Sequence, residues 1–265
     1  MPAQISPLIS VMTGAARKAA KGLLRDFGEV EQLQVSRKGP ADFVSAADHR
    51  VEASLLRELR KARPGFGFLF EEQGAQPGED PSNVWVIDPL DGTTNFLHGI
   101  PHFCISIGLL RAGLPYAGVI YHPISDEMYW AEAGTGAWMN NNRLRVSARR
   151  NMEECVFGTG FPYKGRPTMG IAMRQVEPVL KECAGVRRMG AAALDLAYVA
   201  SGRFDGFWEL DLKPWDICAG IVLVREAGGL VTELYNKPDV MTTGSILAAN
   251  EYLHGPLGNI IRAVT

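Results

Sequence analysis

The apolar positions of this chain change period along its length, and each period predicts an element. Ile5, Leu8, Ile9, Met12, Ala16, Ala19, Leu23 and Phe27 recur at helical spacing and predict a first helix over residues 5–27. A second begins near Asp48, sets Val51, Leu55, Leu56 and Leu59 on one face, and ends before the turn at Arg63, Pro64 and Gly65. Between them, "RKGPADFVSAAD" reads as a Gly-Pro turn followed by a short extended piece. "FGFLF" (66–70) predicts a buried strand running into Glu71 and Glu72, and "QGAQPGEDPSN" (73–83) predicts a loop. A run of β-formers from Val84 ends in Asp88. Residues 103–110, 116–123 and 127–132 then read as consecutive strands joined by links short enough for antiparallel hairpins, and "GAWMNNNRLRV" adds a hairpin turning at Asn140–Asn142.

After residue 145 the pattern alternates. Strand-like pieces near 155–159, 186–189, 204–209, 230–234 and 246–249 are interleaved with helical stretches at about 167–183, 191–201, 215–227 and 251–263. The expected class is mixed α+β and α/β. An antiparallel-rich half, residues 1–145, precedes a mixed α/β half, residues 146–265, with a cleft between closely packed halves as the expected site.

Composition narrows the function. A formal charge of −2 over 265 residues supplies no general attraction for nucleic acid or an anionic membrane surface, so direct nucleic-acid binding is not expected. A phosphate ligand would need a local cation. Arg17, Lys18, Lys21 and Arg25 interrupt the first helix, no run approaches the ~18 apolar residues of a membrane span, and the expected location is cytoplasmic. Cys104, Cys155, Cys183 and Cys218 form no CxxC pair and read as reduced core thiols.

The candidate chemistry centres on "VWVIDPLDGTTNFLHG" (84–99). Asp88 and Asp91, with Pro89 between them at a strand's carboxyl end, can aim two carboxylates into one space. Two bare carboxylates repel there, and a divalent cation resolves the conflict. Oxygen ligands without His or Cys favour Mg²⁺, Mn²⁺ or Ca²⁺ over zinc, and the Leu90 carbonyl offers another oxygen. Downstream, Gly92 leaves its N–H approachable, and Thr93 and Thr94 are expected to cap a short helix whose first donors would hold a phosphate. The competing reading is an Asx-type turn in which the aspartates only cap. Glu71 at the end of "FGFLF" and Asp216 at the start of an apolar helix add acids, each with an ordinary alternative: a solvated loop charge and a helix first-turn acid.

Together these stretches resemble the signatures of the inositol monophosphatase family of Mg²⁺-dependent, lithium-sensitive phosphatases. "DPLDGTTNF" matches the family's DP(I/L)DGTTNF. "WDICAGIVLVREAGG" matches its WDxAAGxxIxxEAGG, with Cys218 where a smaller residue is usual. "ADFVSAADHRVE" and "GRFDGFWE" resemble two further family stretches, and the match runs in order over about residues 5–250. The resemblance implies a layered αβαβα sandwich of the sugar-phosphatase type that counts as one domain over about 5–262. It implies Mg²⁺ held by Glu71, Asp88 and the Leu90 carbonyl, and by Asp88, Asp91 and Asp216, with Glu71 and waters forming a weaker third site. Mn²⁺ would substitute, and Ca²⁺ and Li⁺ would inhibit.

It also implies hydrolysis of a small phosphorylated polyol, foremost myo-inositol monophosphate, by an activated water. Thr93 and Asp48 resemble the family's pair that orients and deprotonates this water, although Asp48 also fits a helix N-cap. Gly92 and Thr93 N–H groups would hold the phosphate. Glu209, seven residues before Asp216, would take a substrate hydroxyl, or stand as a solvated strand-end charge. Gly190, Ala191 and Ala192 align with a substrate-contacting turn that carries Ser or Thr where this chain has Ala191. Arg37 and Lys38 compete for the family's lysine position. His98 and His102 read as structural, and Tyr198, Phe204, Phe207 and Trp208 as core or dimer interface. The rival readings are a phosphatase of fructose bisphosphate, histidinol phosphate or nucleotide 3′-phosphates, and a regulatory protein associated with the transcription machinery. The family's habit implies a homodimer.

Overall fold

The computed structural model describes residues 5–28, 35–37, 43–162 and 165–264. Helix α1 (Pro7–Phe27) starts later than its apolar period because Ser6 caps it. The Ser6 hydroxyl accepts the Ile9 N–H at 3.1 Å, and Pro7 occupies the first turn, where no N–H is required. Short strands β1 (Val35–Arg37) and β2 (Phe43–Ser45) pair antiparallel and lead into α2 (Ala46–Ala62). Asp48 therefore sits in the first turn of α2 and not at its N-cap. Lys38 lies outside the described residues, and so does the choice between it and Arg37.

Next come β3 (Phe66–Phe70), β4 (Gly74–Gln76), β5 (Asp80–Asp91), the short helix α3 (Thr93–Leu97), β6 (Cys104–Arg111), β7 (Leu114–His122), β8 (Glu127–Glu132), β9 (Ala137–Met139) and β10 (Asn142–Arg143). Their strands form one sheet in the order β10-β9-β8-β7-β6-β5-β3-β4, in which β3 and β5 run parallel and the other neighbours antiparallel. β4 and the start of β5 correct the expected loop over 73–83. β4 is a sheet edge reached through Gly74 at φ +71°, and an edge strand buries too little to need apolar residues.

The second half contributes β11 (Val156–Thr159), α4 (Met169–Glu182), β12 (Gly185–Arg187), α5 (Ala192–Ala200), β13 (Gly206–Glu209), α6 (Pro214–Glu226), β14 (Leu230–Glu233), α7 (Val240–Thr243), β15 (Ile246–Ala249) and α8 (His254–Arg262). The second sheet has the order β12-β11-β13-β15-β14, with β12, β11 and β13 parallel and the remaining pairs antiparallel.

Five layers result. α1 and α2 cover one face of the first sheet, α5 and α6 fill the space between the sheets, and α4 and α8 cover the far face of the second. The middle layer approaches the first sheet closely. A Cβ on Gly108 would lie 2.5 Å from Cys218 Sγ, and one on Gly118 would lie 2.5 Å from the Ala219 carbonyl oxygen. These two glycines face each other across β6 and β7, and the groove they leave seats the first turns of α6 and accommodates Cys218. Phe204, Phe207 and Trp208 are core, and the four cysteines are free thiols. Among the described residues no helix is long and apolar enough to cross a membrane.

Candidate active site

A regular strand would send Asp88 and Asp91 to opposite faces, because side chains alternate with period two. The structure breaks that alternation with a bulge. Asp88 pairs with Ser106 and Asp91 with Cys104, so three steps along β5 match two along β6. Ser106 and Cys104 share a face, and the extra residue brings both aspartates to one side. An Asx turn sets the kink: the Leu90 N–H donates to Asp88 Oδ1 at 2.9 Å, while Pro89 has no N–H to offer the ladder. Glu71 joins them by register. β3 runs parallel to β5 with Phe70 beside Ile87, and the Glu71 N–H donates to the Ile87 carbonyl at 3.2 Å.

The expected threonine caps of α3 are not what starts it. Its N-cap is Gly92 at φ +92°, and no side chain caps the helix. The Thr93 hydroxyl donates instead to the Leu90 carbonyl at 2.9 Å, folding the helix start back onto the bulge. Gly92 is required twice over, since a Cβ there would also lie 2.9 Å from the His102 carbonyl oxygen.

Asp216 comes from the middle layer. It is the third residue of α6, and its Oδ2 accepts the Lys213 N–H at 2.7 Å. The Ser106 hydroxyl donates to the Trp215 carbonyl at 3.3 Å and ties this helix start to β6. Asp91 in turn accepts the Ala193 N–H at 2.8 Å. That donor belongs to the first turn of α5, whose own N-cap, Ala191, has no side chain to offer it. A strand-end acid of the first half thus caps a helix of the second. Asn95 makes the other cross-link: its Nδ2 donates to the His102 carbonyl at 2.8 Å and to the Met189 carbonyl at 2.9 Å.

These groups line one cavity of about 320 Å³, which gathers Glu71, Asp88, Leu90, Asp91, Gly92, Thr93, Gly190, Ala191, Ala192, Glu209 and Asp216. Asp48 is buried in α2 and is not among the lining residues. His98 is exposed, and His102 is buried against His122 and Tyr198. Sequence reasoning missed Arg166, Arg188 and Lys213, three cations on the cavity wall, together with Gly160 and the buried Asp195. The only signal for the cations was the need for a local positive charge beside any phosphate.

The acids disfavour one another's charge. Burial raises the Asp88 pKa well above the usual carboxylate range, and the charges of Glu71, Asp91 and Asp216 push it further. Asp91 is raised by burial and by Asp216, against the pull of the Ala193 N–H. Burial also raises Asp216, against the Lys213 N–H. Glu209 is pushed up to about 8 by burial and by Asp216, with Arg188 opposing. Among the described residues no three His, Cys, Asp or Glu side chains already close into a compact ligand cluster. The fit to a cation therefore rests on donor chemistry. Four mutually repelling carboxylates and the carbonyl of Leu90, all hard oxygens on one cavity wall, suit Mg²⁺ and exclude the Cys and His sets typical of zinc.

A five-layered αβαβα chain with an oxygen-lined acidic cavity at the ends of two sheets defines the class. The chain belongs to the inositol monophosphatase family, whose model matches residues 4–264. It is 54% identical over 252 residues to the inositol-1-monophosphatase of Mesorhizobium japonicum, covering 95% of each chain. It is 42% identical over 244 residues to the Nus factor SuhB of Escherichia coli, covering 92% of this chain and 91% of that one. The crystal structure of the extragenic suppressor protein suhB from Bartonella henselae superposes with a TM-score of 0.94 at 52% identity, covering 97% of this chain and 99% of that one.

Proposed function

We propose that this protein is a phosphoric monoester hydrolase that converts inositol monophosphate to inositol and phosphate with Mg²⁺. One observation carries the reading. Acids from four separate places in the chain (Glu71, Asp88 with Asp91, Glu209 and Asp216) line a single cavity with the Gly92–Thr93 turn. The names of relatives above 50% identity support the substrate.

Glu71, Asp88, the Leu90 carbonyl, Asp91 and Asp216 would hold the Mg²⁺ ions. When bound, they neutralise phosphoryl charge and make water a better nucleophile. The chain's own groups do the rest. The N–H groups of Gly92 and Thr93 hold a phosphoryl oxygen at the start of α3. Thr93 spends its proton on Leu90, so its lone pairs face any attacking water as acceptors. Glu209 accepts a hydroxyl of the polyol, and the turn at Gly190, Ala191 and Ala192 borders the ring. Arg188 and Lys213 supply the positive charge that the overall balance of −2 does not. The same reading carries inhibition by Li⁺ and Ca²⁺, activity with Mn²⁺, a homodimer and a cytoplasmic location.

The test is a panel of phosphomonoesters with kcat/KM measured for each. Inositol monophosphate is expected to lead, and a strong preference for fructose bisphosphate, histidinol phosphate or a nucleotide 3′-phosphate would replace it. The similarity to a Nus factor favours a second reading, a regulatory partner of the transcription machinery. Asp91→Asn separates the two: loss of hydrolysis with an unchanged cellular phenotype assigns the physiology to the partner.

A further inference from the structure

β11 and β13 run parallel with Thr159 beside Trp208, so the next step along both sets Gly160 beside Glu209. The Thr159 hydroxyl donates to the Trp208 carbonyl at 2.8 Å and fastens the two strand ends together. Gly160 is buried and is not among the glycines with positive φ. Its backbone therefore does not demand glycine. The space above it does: a Cβ on Gly160 would lie 2.0 Å from the Glu209 carboxyl carbon and 2.0 Å from its Oε2. The Glu209 carboxylate lies over the bare Cα of Gly160, and both residues line the cavity. A carboxylate is the mobile end of a long side chain, so a methyl at residue 160 moves the carboxylate and leaves the strands in place.

We propose that Gly160 fixes where Glu209 presents its carboxylate, which makes position 160 a determinant of selectivity for hydroxyl-bearing phosphate esters. The selectivity rests on the phosphatase reading above; the placement rests on the geometry of the two strand ends. Gly160 is a positioning residue, since it acts through Glu209.

The experiment uses the full chain as wild type, Gly160→Ala, Glu209→Ala and the double variant, assayed on myo-inositol 1-phosphate and on 4-nitrophenyl phosphate, which has no polyol hydroxyls. In Gly160→Ala the ratio of kcat/KM between the two substrates is expected to fall about tenfold, through KM for the inositol ester, as for loss of one hydrogen bond. In the Glu209→Ala background the same substitution should move the ratio less than about twofold, because the group it displaces is already gone. An equal fall in both backgrounds overturns the proposal. A crystal structure of Gly160→Ala is the second arm: a Glu209 carboxylate still in its original place overturns the proposal, and a displaced one supports it. If wild type shows no preference for the inositol ester, the substrate reading fails while the crystal structure still decides the placement. If Gly160→Ala does not fold, the Glu209→Ala background must restore folding, and failure there also counts against the proposal.

Discussion

The two sides of the cavity are built by opposite means. On the acid side, a bulge and a parallel register force Glu71, Asp88 and Asp91 together, with the Glu71 N–H on the Ile87 carbonyl and the Leu90 N–H on the Asp88 carboxylate. On the side proposed to face the polyol, Gly160, Glu209 and the turn at Gly190–Ala192 come from three separate elements, and what shapes the wall is a missing Cβ and a helix start capped from outside. The acid side places charge against charge and therefore calls for a cation. The polyol side places one acceptor over a gap and therefore selects a shape. The proposed function assigns reaction to one wall and specificity to the other, so substitutions on the two sides should differ in kind as well as size.

The largest contrast is expected from Asp88→Asn set against Glu209→Gln. Removing a buried acid of the cation site should lower kcat on the order of 10³-fold, whereas Glu209→Gln should cost about tenfold, mostly in KM. Stability should move the other way. Without divalent cation Asp88→Asn relieves burial of a carboxylate beside three others, so its thermal midpoint should rise. Equal kinetic losses for the two variants, or a lower midpoint for Asp88→Asn in chelator, would break the division.

A second expectation concerns the joint between the sides. His102, at the foot of β6, is 8% exposed, and its Nε2 has no hydrogen-bond partner among the described residues. Burial, helped by the neighbouring His122, pushes its pKa down to about 4. Because this is below the ordinary value near 6.5, the unfolded chain binds the extra proton first. The stability tied to neutral His102 is complete above about pH 6.5 and is lost as pH falls through about 4, a total of about 3 kcal/mol. The difference in denaturant midpoint between wild type and His102→Phe should follow that slope from pH 7.5 to 4, because the buried cavity acids, whose raised pKa values favour the fold as pH falls, are common to both chains. An unchanged slope in the variant would assign the acid sensitivity to other groups, His122 first.

The legibility of the two sides follows the same division. The acid side could be read because contiguous stretches carry it: β-formers ending in Asp88, the DPLDGTTNF run, and an apolar helix behind Asp216. Even there, the bulge that turns Asp91 toward Asp88 was not readable, because it depends on the register with β6. The threonines looked like caps, but Gly92 takes that place by adopting a backbone conformation the threonines would resist. On the polyol side the informative facts are relations between distant residues. Gly160 means nothing until Glu209 lies over it, and Ala191 looks like a lost hydroxyl until Asp91 is seen capping its helix. The loop expected over 73–83 failed for a related reason: edge strands such as β4 carry no apolar signature.

Asn95 tests whether the sides are coupled. It is buried, and its amide bridges His102 on the strand side to Met189 just before the polyol turn. Asn95→Ala leaves two carbonyls short of a donor, for a cost of about 2 kcal/mol in unfolding free energy. If the bridge also sets the distance between phosphate and polyol contacts, kcat/KM for the inositol ester should fall by more than that for an aryl phosphate. Equal losses on both substrates would leave Asn95 a purely structural link.

The smallest expected effect is at Ala191. Ala191 is 1% exposed and stands at the N-cap of α5 with extended backbone, φ −144° and ψ 95°. A serine hydroxyl at an N-cap accepts the N–H of the second or third helical residue, here Ala193 or Leu194, and typically adds about 0.5–1 kcal/mol. In this protein the Ala193 N–H is already bonded to Asp91, so Ala191→Ser sets two acceptors against one donor. If the hydroxyl turns to Leu194, the thermal midpoint should rise by a degree or two and catalysis should be unchanged. If it takes Ala193 from Asp91, the acid loses the hydrogen bond that favours its charge, and kcat should fall about two- to threefold with little change in KM. A gain in affinity for the inositol ester in place of either result would mean that position 191 faces the polyol directly, and the division of labour between the two walls would then run through α5 as well as between the strands.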